Sequence, residues 1–137
     1  MKANTTFLQM SIRIVGAIML LLGVFFWVSQ NLSLVIIHIL IGFVLVLLLW
    51  ILAYQAARAG VSTVLVVLVV AWGILLPILG LMQANLLPGP AHWVIHVVHL
   101  LVGMVAIGEA EMIALQIKNQ ASSRKINQTT QRARARK

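Results

Sequence analysis

The 137-residue chain is 62% hydrophobic and only 9% charged, with a mean hydropathy of +1.07 and a formal net charge of +8. Soluble domains average roughly 25% charged residues, so an ordinary water-soluble fold is excluded, and the length allows one domain. The absence of cysteine excludes disulfides, thiolate ligation and cysteine-bound iron–sulfur clusters.

Met1–Met10 is a short polar lead whose one charge is Lys2. The apolar run that follows, with Arg13 in its first turns, is expected to be transmembrane helix 1, at about residues 10–29. It is too long for a signal-peptide core, and Phe25-Phe-Trp-Val-Ser-Gln30 offers no small-x-small cleavage site. Ser29-Gln-Asn-Leu-Ser33 makes a polar turn, with Asn31 or Ser33 placed to cap the next helix. Helix 2 is expected at about 34–55, followed by a turn over residues 56–62 that contains Arg58 and Gly60. Helix 3, about 63–82, should bend at Pro77, which lacks a backbone donor. Residues 83–90 form a loop, and Pro90 suits the first position of helix 4, about 91–117. Residues 118–137 make a basic tail, of which 121–137 is either flexible or a continuation of helix 4.

Each apolar run is about 20 to 26 residues, enough to cross a hydrocarbon core of about 30 Å. Short connections then imply an all-α membrane protein over residues 1–117: a four-helix, up-down-up-down antiparallel transmembrane bundle. Lys2, Arg13, Arg58 and the tail lie on one side, and the 1–2 and 3–4 loops carry no Lys or Arg. The positive-inside rule therefore puts both termini in the cytoplasm of a multi-pass protein in the cell's inner (plasma) membrane. Seven of the ten basic residues lie at or after Lys118. Beside a membrane segment such a tail reads as an anchor for anionic lipid headgroups, and not as a nucleic-acid surface, because no aromatic residue interleaves it.

The halves repeat. Helix 1 has Gly16 and Gly23 seven apart, as helix 3 has Gly73 and Gly80. Helix 2 has His38, Gly42 and Gln55 at the same offsets as His99, Gly103 and Gln116 in helix 4. The bundle is thus expected to consist of two repeated helical hairpins, with His38 and His99 at one depth, about 10–12 Å below the outer interface. Histidines buried among apolar helices are costly, which points to function. Two imidazoles approaching at one level suit bis-histidine ligation of a haem iron, and glycines on the facing helices leave room for a flat ring.

In this layout the sequence resembles the four-helix core of membrane b-type cytochromes, including cytochrome b561-like proteins. In that core, histidines of the second and fourth helices clasp haem while glycines of the first and third make room. The resemblance implies one haem b bound by His38 and His99, with Gly23 and Gly80 beside it and Gly42 and Gly103 just below. Members that carry electrons across the membrane hold two haems, one per leaflet. The inner halves of helices 2 and 4 contain no histidine here, so a single haem near the outer face is implied. With no Lys or Arg in the outer loops, its propionates would rely on water, Gln30, Asn85 or His92.

His92, His96 and His99 fall on one helical stripe, at i, i+4 and i+7. His96 is the alternative haem ligand, one turn above His99, and the stripe is also a possible three-nitrogen site for a transition metal. No carboxylate lies near it, which argues against metal-assisted hydrolysis. Glu109 and Glu111 diverge by about 200° around helix 4, so one is expected to pair with Arg13, and Glu109 lies nearer the His99 stripe. Trp27 and Trp93 mark the outer interface, Trp50 the inner, and Trp72 is packing. Electron transfer or redox or haem sensing is the leading function, with a quinone or a redox protein as partner. The alternatives ranked below it are a cofactor-free scaffold subunit docked to a larger complex and a small proton-coupled transporter subunit using His99 and Glu109. The leading reading itself allows a membrane oxidoreductase, and either an isolated chain or an oligomer.

Overall fold

The computed structural model describes residues 2–136, and among them every regular element is helical. Four α-helices run in chain order: α1 Lys2–Ser29, α2 Val35–Ala59, α3 Thr63–Met82 and α4 Trp93–Arg134. A single 3-10 turn, Gln83–Asn85, follows α3. Short links make neighbouring helices antiparallel, and the product is a four-helix bundle in which α2 and α4 also pack against each other across the middle. All four helices are long and apolar enough to cross a membrane, as in a multi-pass membrane protein. Large apolar side chains such as Leu21, Leu40, Val64 and Leu101 are exposed on the outside of the bundle, as on lipid-facing helices.

Several boundaries differ from those read in the sequence, each for a physical reason. α1 begins at Lys2, eight residues earlier than about 10, because the polar lead carries Thr5 and Gln9 one turn apart and both find partners. Thr5 Oγ1 donates to Gln55 Oε1 of α2 at 3.0 Å, and Gln9 Nε2 donates to Glu111 Oε2 of α4. α2 continues to Ala59 because the first residue able to stop it is Gly60, in the left-handed region at φ 83°. The Val61 amide then closes onto the Ala56 carbonyl at 3.1 Å in a Schellman-type end.

α4 does not end near 117. It runs on to Arg134 as one 42-residue helix, and residues 118–134 contain no Gly or Pro to break it. Its continuation is docked: Gln120 Nε2 donates to the Gly60 carbonyl at 3.2 Å and Arg124 Nη2 to the Ala59 carbonyl at 3.0 Å, capping α2 with a cation. At its other end α4 starts at Trp93, and Pro90 sits in the preceding turn, closed by the His92 amide on the Gly89 carbonyl at 3.0 Å. Neither Asn31 nor Ser33 caps α2. Asn31 Oδ1 instead accepts the Ser33 amide at 2.9 Å, closing the turn on itself. α3 passes unbroken through Pro77.

The packed core occupies one half of the bundle. Leu45, Leu49, Leu52 and Ala56 of α2 meet Ala106, Ala110, Ile113 and Ile117 of α4, with Leu8 and Ile12 of α1 and Val69 of α3 closing the sides. The alanines of α4 let the backbones approach, which is how helices gain contact where no hydrophobic drive separates protein from lipid. The half that carries the histidines has no fully buried apolar side chain of comparable size. There the bundle opens.

Candidate functional site

α2 starts immediately after the 30–34 turn, so His38 stands in its first turn. α4 starts at Trp93, so His99 lies nearly two turns in. Across the bundle the two imidazoles come together, with ring centres 6.5 Å apart and planes tilted by 53°. The repeat offsets therefore do correspond to one level. Phe26 of α1 meets His38 edge-on at 5.4 Å, and Trp27 stands 6.5 Å from His96.

His38, His96 and His99 line a cavity of about 320 Å3 together with residues from all four helices. That volume falls at the small end of the range for ligand pockets, about 300–1,000 Å3. Its walls are chiefly apolar, with Leu20, Phe26, Ile39 and Leu100 among them, and its mouth carries Gln30, Gln83 and His92. Gln30 Nε2 donates to the Trp27 carbonyl at 2.6 Å, and Asn85 is not part of the lining. Inside, the Nδ1 atoms of His38, His96 and His99 are buried with no hydrogen-bond partner. The other unpartnered buried side-chain atoms among the described residues, Trp72 Nε1 and Glu109 Oε2, lie outside the lining.

The glycines have unequal surroundings. Nothing lies within 4 Å of the place a Cβ would take on Gly23, so α1 presents bare backbone to open space beside the histidines. On Gly80 the same atom would meet Cε1 of His99 at 3.2 Å. The space at Gly80 thus seats the His99 imidazole itself and is not left free. Gly42 faces Met19 Cε at 3.1 Å and Gly103 faces Leu76 Cδ2 at 3.9 Å, both within the lining.

The stripe of three histidines does not form one ligand set. His92 Nδ1 lies 3.0 Å from the Leu86 carbonyl, and its ring packs edge-on against His96 at 4.7 Å. Among the described residues no three His, Asp or Glu side chains are grouped to hold a metal ion. The pair that does face across the cavity is His38 and His99. Two imidazoles ligating one iron from opposite sides, with metal–nitrogen bonds of about 2.0–2.1 Å, have ring centres roughly 6 to 6.5 Å apart. The 6.5 Å separation and the bare backbone at Gly23 are the two features a haem held here would use.

The far end of the bundle is a separate polar network. Arg13 holds Glu111 through two hydrogen bonds, Nε to Oε1 at 2.6 Å and Nη2 to Oε2 at 2.7 Å. Gln9 bridges Glu111 and Lys118, accepting from Lys118 Nζ at 2.6 Å. Arg13 thus takes Glu111, and Glu109 lies elsewhere, half-buried with Oε2 unpartnered and outside the cavity lining. Phe26, Trp27 and Met19 were missed as site residues by sequence reading, although with Gly23 they share one face of α1 at i, i+3 and i+4 spacings. No family model, curated protein or solved structure matches the chain.

Proposed function

We propose that the protein is a single-haem membrane cytochrome b, its haem held by His38 and His99, that serves electron transfer or redox or haem sensing. The observation that carries this reading is the facing imidazole pair, 6.5 Å apart at an apolar cavity. Haem bound there would supply a one-electron redox change.

The chain's own residues do the rest. His38 and His99 each offer a neutral ring nitrogen from a different helix, so binding ties α2 to α4. Gly23 keeps the α1 backbone clear of a flat macrocycle. Phe26 and Leu100 exclude water, and Gln30 and Gln83 stand at the polar mouth, where charged substituents would be solvated. No carboxylate or carbonyl braces the Nδ1 atoms of the two ligands, so nothing adds to their basicity as a carboxylate–histidine pair would. The positive-inside rule puts this mouth on the outer face of the inner (plasma) membrane, with both termini cytoplasmic, and a quinol or a redox protein would meet it there.

Haem content tests the stoichiometry. The full chain purified in mild detergent should carry, or take up, one haem per polypeptide. A protein that takes up two, or none even when haem is supplied, would contradict the reading.

A further inference from the structure

Glu109 and Glu111 are the only acidic residues, and Glu111 is already occupied by Arg13 and Gln9. The stretch 112–137 itself holds seven basic residues and no acidic one. Because α4 continues to Arg134, the backbone positions of the cations from Lys118 to Arg134 are set by the helix. Arg124 is tied to the Ala59 carbonyl and Gln120 to that of Gly60, which sets the start of the continuation against the end of α2. Arg58, exposed in the last turn of α2, stacks over Tyr54 at 5.8 Å. Lys118 is steadied by Gln9 at 2.6 Å, and Lys125 is exposed beside Arg124. Each tether uses one or two N–H groups of the five on an arginine or three on a lysine, leaving the others to bind.

We infer that Arg58, Lys118, Arg124 and Lys125 form a binding surface for anionic phospholipid headgroups at the end of the bundle remote from the histidines. The cluster lies where the apolar part of α2 ends, at Ala59, and where α3 begins, at Thr63. This is the level at which a transmembrane bundle meets phosphates. Tyr54 beside Arg58 has the amphipathic character of an interfacial aromatic. The distal cations do not take part. Arg132 and Arg134 are exposed, and among the described residues neither is tied to another helix as Lys118 is to Gln9 and Arg124 to Ala59. A nucleic-acid partner would want stacking platforms along this face, and residues 118–137 contain no aromatic.

The lack of native cysteine makes the test direct. Asn119→Cys, labelled with a fluorescent donor in the full chain and reconstituted in vesicles, reports energy transfer to acceptor-labelled phosphatidylglycerol or phosphatidylcholine. We expect phosphatidylglycerol to be enriched several-fold near the label at 100 mM salt, and the enrichment to vanish at 1 M salt, where the Debye length is about 3 Å. Lys118→Gln with Lys125→Gln should lower it severalfold, Lys118→Arg with Lys125→Arg should keep it, and ending the chain after Thr130 should leave it unchanged. Circular dichroism checks that each variant stays helical. Equal transfer from both lipids, or an enrichment lost on removing residues 131–137, would overturn the inference. So would tight binding of an oligoribonucleotide by protein in phosphatidylcholine vesicles without any phosphatidylglycerol enrichment.

Discussion

The imidazole of His99 lies on the bare backbone of Gly80, so close that a methyl group there would come 3.2 Å from ring atom Cε1. Gly80→Ala must push the ring by a few tenths of an ångström. Adding a methyl also favours the helix by up to about 1 kcal/mol, so the bundle itself should lose little stability. Haem affinity should fall on the order of 10–100-fold, as when the support of a metal ligand is removed. Haem titration of the two proteins checks this.

Gly23→Ala should behave differently, because nothing lies within 4 Å of the added atom. The haem-free protein should gain up to about 1 kcal/mol from helix propensity, seen as a higher Tm, while haem uptake falls because the methyl enters the cradle. Gly73→Ala is the contrast: its Cβ would come 2.5 Å from Trp50 Nε1 in the packed part of the bundle. It should cost about 1–3 kcal/mol whether or not haem is present.

The Arg13–Glu111 pair should show strong coupling. Arg13→Gln or Glu111→Gln alone leaves an uncompensated charge within a membrane-spanning helix, and the Gln9–Lys118 bridge loses its anchor. Each single variant should lower Tm, and the double variant should lose clearly less than their sum. Additive losses would mean that the pair is incidental.

Gly60 is needed for its backbone. At φ 83° an alanine pays the left-handed penalty, so Gly60→Ala should destabilise the bundle by about 1–2 kcal/mol. Arg124→Ala should add a smaller loss, about 0.3–1 kcal/mol, by uncapping α2. Thermal melts in detergent measure both, and neither should change haem affinity.

Four helices were legible because each apolar run is long and nearly free of charge, and the shared level of His38 and His99 was legible in the repeat offsets. Side-chain direction was not. An offset sets depth along the helix and leaves the rotamer open, so Gly80 was expected to make room for a cofactor and in fact seats a histidine. The polar lead was expected to precede helix 1 because its partners, Gln55 and Glu111, lie 50 and 102 residues away. The 200° divergence of the two glutamates implied that only one could meet Arg13, but helix periodicity alone could not say which. The extension of α4 depended likewise on carbonyls exposed at the end of α2, which exist only once that helix has formed.

The most direct measurement is the absorption spectrum of the detergent-purified, haem-supplied protein before and after dithionite, alongside His38→Ala, His99→Ala and His96→Ala. The expected result is a Soret band that shifts on reduction with sharp α and β bands, a six-coordinate spectrum lost in His38→Ala and in His99→Ala and kept in His96→Ala. A protein that stays colourless with added haem, or a spectrum that survives both His38→Ala and His99→Ala, would contradict the assignment.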